Sequence, residues 1–197
     1  MHLQKNTLVT AAVVMIVAAM TAAAALGGTR GSVAAAHTVK QAEDARFELT
    51  PSSAQLRACM PDAQLSVKLS LSTEKHGSDR FEIAARDLPP NRDYTIFLLQ
   101  QAGSPFGAAE YIGDFSTNDE GNAHNDLKLI VQEAFSSTLV NGSRQRVDLN
   151  RIGVWFADHE ADDFCLGVNS PITPFDGDNE AGVQAFNSAN ADPLPAP

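Results

Sequence analysis

The stretch Phe81 to Asn122 limits the fold most, because short strand-like segments are cut there by residues that cannot continue a hydrogen-bonded ladder. Phe81, Ile83 and Ala85 alternate with Glu82, Ala84 and Arg86, the period-2 signature of a half-buried strand. Leu88-Pro89-Pro90-Asn91-Arg92 ends it, since neither proline can donate to a sheet. Tyr94 to Gln101 follows and is apolar on both faces at Ile96-Phe97-Leu98-Leu99. Such a strand needs cover on two sides, for example a second sheet on one and a loop on the other. After the break Gly103 to Gly107, a strand from Tyr111 to Thr117 leads through Asn118-Asp119-Glu120-Gly121 into a return strand from Ala123 to about Ile130.

The rest of the chain repeats this cadence. Leu65, Val67, Leu69 and Leu71 alternate with Ser66, Lys68 and Ser70, and two further strands are expected at Arg144 to Leu149 and Arg151 to Asp158. Val183 to Phe186 is a last candidate, and Arg46-Phe47-Glu48-Leu49 a short edge strand. Helical spacing occurs at Val131, Ala134, Phe135, Thr138 and Leu139, ending on Asn141-Gly142 as a C-cap. The expected fold class is therefore all-β, an antiparallel β-sandwich of about seven strands with one short helix.

The N-terminus bears on compartment. Lys5 precedes an uncharged, largely apolar run from Asn6 to Thr29, and Ala34 to Ala36 offers an A-x-A cleavage site. The expectation is a signal peptide over residues 1–36 and a secreted or extracellular mature chain. The alternative is a membrane anchor through an uncleaved N-terminal helix. A flexible mature N-terminus is expected over 37–57, the β-sandwich domain over 58–188 and a disordered tail over 189–197. Cys59 and Cys165, an even pair in an exported chain, are expected to form a disulfide.

Charge narrows the partners. The whole chain carries 14 Lys and Arg against 24 Asp and Glu, net −10, and loss of Lys5 and Arg30 leaves 12 against 24. No Lys or Arg follows Arg151. Such a surface repels phosphate backbones and anionic lipid heads, so neither nucleic acid nor membrane is an expected partner of the mature form. An envelope or extracellular component is.

The run Leu88-Pro89-Pro90-Asn91-Arg92-Asp93-Tyr94 to Leu99, with Gly113-Asp114-Phe115-Ser116-Thr117 and Gly121-Asn122-Ala123, resembles small secreted bacterial β-sandwich modules of the immunoglobulin-like kind. The resemblance implies an exported sandwich and transfers no functional residue.

Candidate chemistry lies elsewhere. Asp158, Glu160, Asp162 and Asp163 share one turn, and Asp176, Asp178 and Glu180 another, the carboxylate density a calcium ion takes. The second cluster starts like an EF-hand but has Ala181 where the loop needs glycine and Asn187 where it needs glutamate, which excludes that motif. No cofactor is expected; a loose calcium loop is the alternative to plain solvated turn carboxylates. A metal-dependent extracellular enzyme using these loops with His124 or His159 is one alternative, although no paired-histidine motif occurs. His76 reads as a surface residue. Arg144, Arg146 and Arg151 can hold an anion or simply guard a strand edge. Trp155 is either an exposed stacking platform, the mark of a carbohydrate-binding module, or part of a second core. Gly-x-Ser-x-Gly and phosphate-loop patterns are missing, so a non-catalytic binding or structural role is favoured over an enzyme.

Overall fold

The computed structural model describes residues 44–131, 134–174 and 180–194. The expected signal peptide and the first mature residues lie outside them. In chain order the elements begin with β1 (Asp44–Pro51), α1 (Ala54–Cys59), β2 (Gln64–Ser70), α2 (Thr73–His76), β3 (Asp79–Arg86), β4 (Asp93–Leu99), β5 (Ala109–Ser116) and β6 (Ala123–Leu129). There follow β7 (Phe135–Val140), β8 (Ser143–Asp148), β9 (Arg151–Phe156), a 3-10 turn (His159–Asp162), α3 (Asp163–Leu166), β10 (Thr173–Pro174), β11 (Glu180–Ala181) and β12 (Gln184–Asn187).

The all-β antiparallel class read from the sequence is the one observed. Eight strands form a sheet in the order β5-β4-β9-β12-β1-β2-β3-β6, which divides into two four-stranded halves joined along β1. β1 pairs β2 from Asp44 to Leu49 and passes to β12 at Thr50 and Pro51. The two ends of the sheet also approach: Asn125 on β6 donates its side-chain N–H to the Asp114 carbonyl on β5, at 2.5 Å. The sheet is thus nearly closed, and one core lies inside it. Leu65, Val67, Leu69, Phe81 and Ile83 come from one half, and Tyr94, Ile96, Ile152, Val154, Phe156 and Phe186 from the other. Period-2 alternation explains this directly, since each strand sends every second side chain inward.

β4 is covered on both faces, as its unbroken apolar run requires. Tyr94, Ile96 and Leu98 enter the main core, while Phe97 and Leu99 join Trp155 in a second cluster under Phe106. Phe97 lies opposite Gly153 on β9, so a large residue faces the smallest one. A Cβ on Gly153 would fall 2.4 Å from the Trp155 ring, 2.6 Å from the Gln184 amide and 2.7 Å from Leu99. The missing side chain makes room for this outer layer.

Three sequence expectations are corrected. The segment read as a helix forms the β7–β8 hairpin, with Val140 opposite Ser143. Its turn, Asn141-Gly142, has φ values of 52° and 79°, the doubly left-handed geometry of a type I′ hairpin. The helical content lies in α1, α2 and α3 instead. β1 is an interior strand, so ordered structure begins well before residue 58. The tail is held through Leu194, which is buried and donates its backbone N–H to Asn150 at 2.8 Å; residues 195–197 lie outside the described set.

Buried polar groups fix the loops. Asp79 accepts from the backbone N–H groups of Ser72 and Thr73 at 2.7 and 2.9 Å, and from Val131 at 2.9 Å, so one carboxylate ties the start of α2 to the segment after β6. Tyr94 is different. Its ring stacks on Phe115 at 5.0 Å, but among the described residues its buried hydroxyl has no hydrogen-bond partner. Burial pushes the phenol above the ordinary tyrosine range, and Arg92 opposes this only in part.

The neutral phenol is therefore favoured in the fold, and its stabilisation is present below the unfolded value near 10 and lost as pH rises above it. Tyr94→Phe removes an unpaired buried group and should leave stability near pH 7 unchanged or higher. In urea melts above about pH 10 the variant should lose stability less steeply, by up to about 1.4 kcal/mol per pH unit.

Candidate functional site

The acidic turn was the first place to expect chemistry, and its four carboxylates have separate tasks. Asp158 accepts from the Glu160 backbone N–H at 3.0 Å and opens the 3-10 turn. Asp162 is fully buried and accepts from the Ser170 hydroxyl at 2.5 Å and the Val183 N–H at 2.8 Å. It ties the loop after α3 to the approach into β12. Asp163 begins α3, and Glu160 is exposed. Glu180 is exposed on β11, while Asp176 and Asp178 lie outside the described residues. Among the described residues, no three His, Cys, Asp or Glu side chains come close enough to hold a metal ion.

The histidines do not meet either. His124 lies on β6, opposite Ala84, beside an open depression lined by Arg86, Asp87 and Asn118. His159 is in the turn after β9, in the other half of the sheet, 3.5 Å from Asp158. The arginines are dispersed as well: Arg146 pairs with Asp148 at 3.1 Å over the Phe135 ring, whereas Arg151 donates to the Ser188 and Ala191 carbonyls. Trp155 is 2 % exposed. Its ring meets Phe97 and Phe106 edge-on at 5.4 and 5.0 Å, so it is core and not a platform.

Cys59 and Cys165 form the expected disulfide, with Cα atoms 5.7 Å apart, joining α1 to α3. Gln55 adds a bond from its amide to the Cys165 carbonyl at 3.2 Å. Beside this staple lies an open recess of about 500 Å³. Its walls include Ser52, Phe106, Asn169, Gln184 and Asn187, which come from four separate parts of the chain.

The floor of that recess is a chain of oriented amides. Gln184 donates through Nε2 to the Ala102 carbonyl at 2.9 Å and accepts from Asn187 Nδ2 at 3.1 Å. Asn187 in turn accepts from the Ala189 N–H at 3.1 Å, and the Ser52 hydroxyl donates to the Gln184 carbonyl. Each primary amide carries two N–H donors, and these bonds use one on each nitrogen. Such a surface can recognise an uncharged hydrogen-bonding ligand, with Phe106 as an apolar wall. Sequence reasoning missed it. Gln184 and Asn187 sit in a short strand beside fully buried Ala185 and Phe186, and only polar residues in such an apolar strand hint at a second buried layer.

The sequence matches no protein-family model, and no curated protein sequence is significantly similar to it.

The division of labour in the acidic turn has a measurable consequence. Asp162→Ala leaves the Ser170 hydroxyl and Val183 N–H without their acceptor and should cost about 2–4 kcal/mol in urea unfolding. Glu160→Ala should stay within about 0.5 kcal/mol. Equal effects would contradict the roles assigned here.

Proposed function

We propose that this chain is an exported, non-catalytic β-sandwich module that binds another component of the cell envelope or extracellular space. The observation that supports the reading best is the amide-floored recess beside the Cys59–Cys165 bridge. The bridge is compatible with an oxidising compartment, where such bonds persist. Among the described residues no helix is long and apolar enough to cross a membrane.

The recess favours a neutral glycan as the ligand class. Fixed amides match sugar hydroxyls, which both donate and accept, and the half-buried face of Phe106 gives a ring against which the apolar side of a sugar can lie. This keeps the carbohydrate reading of the sequence but moves it from Trp155 to the neighbouring loop. Catalysis by His124 or His159 with the acidic loops is not part of the proposal, because His124 lies on β6 whereas the acidic turn with His159 follows β9, and among the described residues no three His, Cys, Asp or Glu side chains come together.

Titration of the isotopically labelled mature chain with a panel of soluble neutral oligosaccharides tests the reading. Backbone amide shifts should be confined to the segments lining the recess, residues 52–56, 103–106, 166–170 and 183–187, of which all but Pro105 carry a backbone N–H. Asn169→Ala, at an exposed wall position, should weaken binding at least about tenfold, or 1.4 kcal/mol, without changing the thermal midpoint. Shifts centred anywhere else, or none with any glycan, would overturn the assignment.

A further inference from the structure

The β7–β8 hairpin forms a two-stranded sheet of its own, unpaired along both outer edges among the described residues. Isolated hairpins are marginal in water, and a third strand or an apolar cover is what normally stabilises them. This one also shows an apolar face. Phe135 and Leu139 are 54 % and 65 % exposed, and register places them on the same side as Ser137, Arg144 and Arg146.

The two edges differ. β8 carries Arg144 and Arg146, charges of the kind that keep natural edge strands apart. β7 reads Phe-Ser-Ser-Thr-Leu-Val, with no charge, no proline and no bulge. Val140 and Ser143 flank the two-residue turn as a bonded pair, and bonded and non-bonded pairs alternate along the ladder. Phe135, Ser137 and Leu139 therefore turn their backbone N–H and C=O groups to the free edge.

We propose that the β7 edge pairs antiparallel with the β7 edge of a second copy of this chain, giving a four-stranded sheet β8-β7-β7-β8 about a twofold axis at Ser137. The register is self-complementary. Ser137 faces Ser137, and Phe135 of each copy faces Leu139 of the other, so all the outward-turned backbone groups find partners and the two apolar pairs form one patch. Charge favours the same contact: in a chain of net −10, β7 is uncharged, and the row through each Phe135–Leu139 pair ends on Asp148 at one side and Arg144 at the other. A twofold contact of this sort closes on itself and leaves β8 as a charged outer edge.

Sedimentation velocity over a concentration series should show a monomer–dimer equilibrium for the mature chain. Ser137→Lys places two like charges opposite one another on the axis and should raise the dissociation constant about tenfold or more, with a modest fall in the thermal midpoint because the lysine also faces Arg146 in its own hairpin and the bond from Arg144 to Ser137 is lost. Under mild oxidation Ser137→Cys should give a disulfide-linked dimer, because bonded antiparallel pairs have Cα atoms about 5.5 Å apart, within disulfide reach. Gln145→Cys on β8 should not. A chain monomeric at every concentration, a dimer indifferent to Ser137→Lys, or preferential linkage through Gln145→Cys would each overturn the proposal. So would capture of a foreign strand by β7 in a chain that stays monomeric.

Discussion

The double burial of β4 is the constraint from which the rest of the architecture follows. A strand with Tyr94, Ile96 and Leu98 on one side and Phe97 and Leu99 on the other cannot stand at the surface of a two-layer fold. One face is satisfied by the strands of the opposite half. The other requires a second, thinner core, supplied by Trp155 from β9 and by Phe106 from the loop after β4. Gly153 permits it, because the indole ring occupies the space above that backbone.

This outer layer has a polar border. Where the apolar residues stop, Gln184 takes over, bonding Ala102 on the covering loop and Asn187 on its own strand. The same loop therefore closes the second core and forms one wall of the recess. At the far wall, Asp162 and the Cys59–Cys165 bridge hold α3 and the following loop against α1 and β12. The recess is bounded by segments fixed for reasons of packing, and a ligand would meet donors already oriented, which lowers the ordering cost of binding.

Much of this fold was legible in the sequence, and the physical reasons for the rest are specific. Alternation located β2 and β3, the turn Asn118 to Gly121 located β6, and the apolar run of β4 announced its two-sided cover. The β7–β8 segment was misread because Asn141-Gly142 serves equally as a helix stop and as a type I′ turn, and five residues at helical spacing outweighed the β-branched Thr138 and Val140. β1 looked peripheral because its pairing with β12 joins residues from opposite ends of the chain. The acidic turn could be located, but nothing local distinguishes buried Asp162 from exposed Glu160 two positions earlier. The recess was invisible for the same reason as β1, since Ser52, Phe106, Asn169 and Gln184 meet only when the whole sheet has formed.

The join between β1 and β12 bears on how the molecule is made. Until β12 emerges, β1 has one completed side at most, and the bridge between Cys59 and Cys165 waits across a separation of 106 residues. A nascent chain must therefore carry an unfinished strand through most of its synthesis. Pairings of that range are slow to form. The outward residues of β1, Asp44, Arg46 and Glu48, carry charges of both signs. They give the waiting strand a surface that discourages premature association.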